Sequence, residues 1–163
     1  MQGNSKPGRT IAVTSRPLAE LLDCPPETGS LLTGAAQSLS IPAGDTVFCQ
    51  NGPCRGLYLV VSGEFLRKSE RLNTRITLGV GHPGDLVELA AALGDGLHTY
   101  TMTALTPGRL LMLPMNALRQ AFDRYPPLRM RLLEELAREV SRAYRFCSLS
   151  RPAPVRRESA NLQ

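Results

Sequence analysis

The chain has no tryptophan, only two histidines in 163 residues, and four cysteines that never fall into a Cys-x-x-Cys pair. Cysteines scattered as Cys24, Cys49, Cys54 and Cys147 argue against zinc, an iron–sulfur cluster or a disulfide framework. Cys49 and Cys54 flank a turn and could approach each other, but such residues are more often reduced, small apolar fillers. His82 and His98 lie sixteen positions apart, whereas a histidine-ligated metal enzyme needs clustered imidazoles with a carboxylate. Neither a Ser-His-Asp, a Cys-His nor a paired-carboxylate arrangement stands out, so the expectation is a protein that is not an enzyme and holds no metal. No apolar run approaches the roughly 20 residues that cross a bilayer. The start, Met1 to Lys6, lacks the apolar core of a signal peptide, which points to the cytoplasm and away from the membrane.

What is present suits one globular domain, 42% apolar and long enough to hold a core without staples. The net charge of +5 is uneven: Arg109 to Glu158 holds 11 Arg against 5 acids, and everything before holds 8 Lys or Arg against 9 acids. The excess arginines alternate with carboxylates along one helical stretch, the pattern of a solvated face rather than a nucleic-acid surface.

Residues 1–14 are polar with Pro and Gly and are expected to be flexible. Ser15 and Pro17 open a short helix before Leu18, Leu21 and Leu22, and Pro25-Pro26 opens a second holding Leu31, Leu32 and Ala35. From Leu39 to Leu113 turns recur every 8 to 12 residues or so, at Pro42 to Asp45, Asn51 to Pro53, Ser62-Gly63, Arg71 to Asn73, Gly81 to Gly84 and Gly94 to Gly96. That spacing predicts an antiparallel sandwich or jelly roll. Leu57, Leu59 and Val61 give one buried face, Phe48 and Phe65 are core candidates, and Tyr58 reads as a rim aromatic. Past Pro114 the period turns helical; Pro126-Pro127 ends one helix and starts a longer one. Leu133, Leu136, Val140, Ala143 and Cys147 occupy a and d positions there over about two heptads, leaving pairing with a second copy and packing on the sandwich as rivals. Residues 148–163, with Pro152 and Pro154, are expected to be disordered.

The most informative stretch runs from Gly81 to Ala104: a Pro-Gly-Asp turn, two apolar residues, the helical run Glu88 to Leu93, a Gly94-Asp95-Gly96 loop, and an alternating strand from His98 to Ala104. A helix start favours anions, Glu88 can accept a hydroxyl proton, and His98 and Thr99 can donate to an oxyanion. The constellation suits a small phosphorylated ligand.

Gly-Asp, two apolar residues, Glu-Leu-Ala, a glycine loop and a polar pair entering a Thr-rich strand resemble the phosphate-binding cassette of cyclic-nucleotide-binding domains. Ile41 to Phe48, Gly56 to Glu64 and Leu110 to Pro114 extend the resemblance to roughly residues 17 to 147. It implies a mainly β fold with flanking α: a double-stranded β-helix, or jelly roll, with short N-terminal helices and a C-terminal helix pair in a domain over 15–147. It also implies a non-enzymatic sensor or regulatory module with cyclic AMP or cyclic GMP as its ligand. The backbone of Leu89, Ala90 and Ala91 and the Thr99 hydroxyl would hold the phosphate, Glu88 the ribose hydroxyl, and Tyr144 would face the base. The long helix would pair two copies, and output would pass through a further protein partner. Two positions depart from the family pattern. Val87 stands where Gly usually precedes the Glu, and His98 stands for the phosphate-gripping Arg, without its planar fork or permanent charge. These departures imply a degenerate cassette with weak or altered binding. The alternatives are an interaction or dimerisation protein with a dead pocket and the truncated sensor half of a DNA-binding regulator. A winged helix-turn-helix would need several tens of residues after the long helix and about 15 remain, so no DNA-reading domain is expected. His82, beside a Pro-Gly turn, is open to a haem-ligand reading as in gas-sensing relatives, or to that of an exposed loop residue.

Overall fold

The computed structural model describes the backbone of residues 17–149 and the side chains of residues 17–144. The expectations for residues 1–14, for Ser15, for the Cys147 side chain and for the tail from residue 150 lie outside this range. Two short helices, α1 (Leu18–Leu22) and α2 (Pro26–Ala35), precede eight strands. These are β1 (Gln37–Ile41), β2 (Thr46–Phe48), β3 (Gly56–Ser62), β4 (Phe65–Arg71), β5 (Thr74–Gly81), β6 (Leu86–Val87), β7 (Thr101–Ala104) and β8 (Gly108–Pro114). A third short helix, α3 (Leu89–Leu93), sits between β6 and β7, and α4 (Met115–Arg124) and α5 (Pro126–Leu149) follow β8. The strands form two four-stranded antiparallel sheets in the orders β1-β8-β3-β6 and β2-β7-β4-β5. This is the expected jelly roll with flanking helices.

The expected single buried face of β3 becomes two, because its sheet is covered on both sides. Leu57 and Leu59, with Leu111 and Leu113 of β8, face the helices and pack on Leu18, Leu22, Leu32, Leu118, Leu128 and Leu132. The alternate residues Tyr58 and Val60, with Leu110 and Met112, face the opposite sheet and pack on Phe48, Phe65, Tyr100 and Met102. A strand sandwiched this way reads as a continuous apolar run rather than an alternation. Tyr58 is accordingly a core residue and not a rim aromatic. The turn between β3 and β4 depends on glycine: Gly63 has φ +85, and a Cβ there would lie 2.6 Å from the Cα of Gly108.

The expected strand from His98 begins only at Thr101. The backbone before it is bonded elsewhere. The His98 N–H donates to the Gly52 carbonyl at 2.8 Å, the His98 carbonyl accepts from the Asn51 N–H at 2.8 Å, and the Thr99 N–H donates to the Glu88 carboxylate at 3.2 Å. The chain from Leu97 to Tyr100 is thereby tied to the Cys49–Cys54 turn rather than to a sheet. Cys49 and Cys54 are both free thiols, the first exposed and the second half-buried.

Pro126 opens α5, as the Pro126-Pro127 pair predicts. Its first half is anchored through Leu128, Leu132 and Leu136, a row four residues apart on one face. Beyond Leu136 the described residues are mostly exposed, and the helix passes over the β4–β5 side of the roll.

Candidate functional site

Between this stretch of α5 and the sheets lies a cavity of about 770 Å³. Its lining includes Leu86, Val87, Leu89 and Ala90 from β6 and α3, Thr99 and Tyr100 before β7, and Arg67 from β4. From α5 it includes Leu136, Glu139, Val140 and Ala143, and β5 adds Ile76 and Leu78.

Of the residues singled out in sequence, Val87, Glu88, Leu89, Ala90 and Thr99 line this cavity, while Ala91, His98 and Tyr144 do not. Ala91 is fully buried. Val87 takes extended backbone in β6, paired with Tyr58, and its side chain enters the core between the sheets. The left-handed backbone falls on the next residue, Glu88, at φ 71. A non-glycine residue there is strained and must be held by its surroundings. Its N–H donates to the Tyr100 hydroxyl at 3.2 Å. Its carboxylate, with none of the side chain exposed, is saturated from within. Oε2 meets the His98 Nδ1 at 2.7 Å and the Thr99 N–H, and Oε1 accepts from the Thr99 hydroxyl at 2.8 Å. Thus the carboxylate expected to meet a ribose hydroxyl turns away from the cavity, towards the two residues expected beside it at a phosphate.

His98 is buried in the same network, its ring stacked on Phe48 at 3.8 Å with an interplanar angle of 3°. It does not reach the cavity as a substitute for an arginine. The cation that does is Arg67, which sequence reasoning missed. Its guanidinium lies 5.7 Å from the Tyr100 ring centroid and bonds the Glu139 carboxylate at 2.9 Å, while its buried Nε has no hydrogen-bond partner among the described residues. Burial pushes the Glu139 carboxyl above the ordinary carboxylate range, and the Arg67 charge pulls it partly back. Burial also pushes the Tyr100 hydroxyl far up, with the Glu88 charge adding to the effect, which leaves it a neutral hydrogen-bonding group. The other lining arginines are paired at the rim, Arg131 with Asp23, and Arg138 and Arg142 with Glu135. A period-two signal could have found Arg67: it shares a strand face with Phe65 and Ser69, both buried.

The expected pairing residues of α5 divide. Leu136, Val140 and Ala143 face the cavity, and Leu133 is half-buried outside its lining. Tyr144 is 75% exposed. His82 is exposed in the turn before β6, its N–H capped by the Asp85 carboxylate at 2.8 Å. Among the described residues, no helix is long and apolar enough to cross a membrane.

A jelly roll that interrupts its sheets with a helical turn thus presents a cavity between that turn and a long C-terminal helix. The family model for the cyclic nucleotide-binding domain matches residues 38–125, more than half of the chain, and the protein belongs to that family. It is 32% identical over 107 residues to the lysophospholipase NTE1 of Eremothecium gossypii, covering 64% of this chain and 7% of that one. It is 28% identical over 118 residues to a CRP-like cAMP-activated global transcriptional regulator of Mycobacterium tuberculosis, covering 72% and 53%. Among solved structures, the catabolite activator protein of Thermus thermophilus superposes with a TM-score of 0.68 at 27% identity, over 82% of this chain and 62% of that one. The chain therefore spans at most about half the length of these two curated relatives.

Proposed function

We propose that this chain is a non-enzymatic sensor module that takes a cyclic nucleotide, or a phosphate-bearing ligand of similar size, weakly, in the cavity beneath α5. The observation that carries the reading is Arg67, a lining cation held by a carboxylate of the covering helix at 2.9 Å. A ligand phosphate would take the place of Glu139 on Arg67, with the backbone N–H groups of Leu89 and Ala90 as neutral donors, the Thr99 hydroxyl being committed to Glu88. Family membership and the cAMP-activated relative support cyclic AMP as the first ligand to try. Weak binding is expected because Arg67 must leave one partner to meet another, and because His98 is committed to Glu88. Calorimetry with cyclic AMP and cyclic GMP tests this. The expected result is a dissociation constant above about 1 µM for wild type and loss of binding in Arg67→Ala. Submicromolar binding that survives Arg67→Ala would refute it.

A second reading is favoured by the exposed apolar side chains at the cavity mouth, Ile76, Leu78 and Val140, which suit a protein partner or a second copy. If neither nucleotide binds, this interaction-module reading takes first place. Light scattering on wild type and Val140→Asp then decides whether the partner is another copy of the chain.

A further inference from the structure

We propose that Cys54, Glu88 and His98 form a binding site for a divalent transition-metal ion of the zinc class, behind the cavity wall to which Glu88 and Thr99 also belong. One atom from each residue, the Cys54 Sγ, a Glu88 carboxylate oxygen and a His98 ring nitrogen, lies within 4.8 Å of the other two. Bonds of about 2.0 to 2.3 Å in a tetrahedral zinc site put neighbouring ligand atoms about 3.3 to 3.7 Å apart. The Glu88–His98 contact of 2.7 Å must therefore open by roughly 0.6 Å and the thiol must close by no more than about 1.5 Å, both within the reach of small side-chain rotations.

The donor set selects the ion. A thiolate and an imidazole favour zinc, cobalt(II) and their neighbours over magnesium and calcium, which prefer all-oxygen shells. A thiolate with a carboxylate also carries two negative charges, which balance a divalent ion in a site too dry to tolerate an unpaired one.

The three ligands come from segments already fastened together. The Cys54 N–H donates to the Gly96 carbonyl at 2.7 Å, and the His98 N–H donates to the Gly52 carbonyl. Phe48 fixes the imidazole plane, and the Thr99 N–H and hydroxyl orient the Glu88 carboxylate. Outer contacts of this kind hold first ligands in place at metal centres. The thiol donates to the Gly56 carbonyl at 3.0 Å, a bond that is lost with its proton when the thiolate takes the ion. Cys54 is half-buried beside the exposed residues Asn51, Pro53 and Arg55, so an ion and a fourth, water ligand can enter from that side.

Titration of the chelator-treated full chain with cobalt(II) tests the site. One equivalent should produce tetrahedral visible bands and a sulfur-to-cobalt charge-transfer band in the near ultraviolet, both displaced by zinc. Cys54→Ser should abolish the sulfur band, and Cys49→Ser should leave it intact. A spectrum without the sulfur band, one that survives Cys54→Ser, or one lost in Cys49→Ser overturns the proposal. If circular dichroism shows that Cys54→Ser unfolds the chain, thiol alkylation of wild type mapped by mass spectrometry decides instead. Zinc should slow modification of Cys54 at least about tenfold, by occupying the sulfur, while Cys49 stays reactive. Equal rates at Cys54 with and without zinc overturn the site.

Discussion

Replacing Glu139 by Gln should tighten the binding of a phosphate-bearing ligand, although it removes a favourable contact from the free protein. In the unliganded chain the Arg67 guanidinium is held by Glu139 at 2.9 Å through Nη1, and an anion that takes this nitrogen displaces that carboxylate. A charge-assisted pair is worth about 1.5 to 3 kcal/mol when dry. The two side chains retain 20% and 35% of their exposure, so solvent screening reduces the figure to about 1 kcal/mol. Gln keeps the shape and one acceptor but loses the charge, which makes the variant a measure of the electrostatic part. The expected gain is roughly fivefold in affinity for cyclic AMP, read by calorimetry at low salt. Because the gain acts through Arg67, it should vanish in an Arg67→Ala background, and the two changes should be strongly non-additive. An equal gain in that background, or none in the wild type while circular dichroism is unchanged, would refute the claim that Glu139 and ligand compete for one guanidinium.

The same pair predicts a pH dependence. Burial raises the Glu139 carboxyl, so in the folded chain it takes up its proton at a higher pH than in the unfolded one; its stability term is full below the ordinary carboxylate range and fades as pH rises through the raised value. Protonation frees Arg67, which stays charged, so affinity for cyclic AMP should rise as pH falls from neutrality towards the ordinary carboxylate range in wild type and stay flatter in Glu139→Gln; equal slopes would remove the claim. Tyr100→Phe deletes the acceptor for the buried Glu88 N–H, at a cost of about 1 to 3 kcal/mol by urea denaturation; a loss below about 0.5 kcal/mol would mean that this bond does not hold the left-handed backbone. Gly63→Ala combines a φ of +85 with a 2.6 Å approach to the Gly108 backbone, and should cost more than about 2 kcal/mol in the same assay, whereas Gly34→Ala, with nothing within 4 Å of the added Cβ, should not destabilise.

The β-roll was legible in the sequence because its signals are local. Turns at Pro42 to Asp45, Asn51 to Pro53 and Arg71 to Asn73 mark the strands between them, and Pro26 and Pro126 open helices at their first positions. Tyr58 reads as a rim residue in the sequence because a strand covered on both sides shows no alternation, and the docking of α1, α2, α4 and α5 on the outer face explains its neighbours Leu57 and Leu59. The site was legible as a place but not as a set of contacts. The run from Glu88 to Leu93 looks like a helix beginning with its carboxylate at the mouth. The structure gives Glu88 a left-handed backbone instead, and the carboxylate goes to His98 and Thr99. Once Glu88 and His98 have satisfied each other, the cation that remains between the sheets and α5 comes from β4, while the arginines of α5 pair at the rim. Arg67 fills that position, and its partner lies 72 residues further on, in a helix whose register the sequence pattern could place only to within a turn.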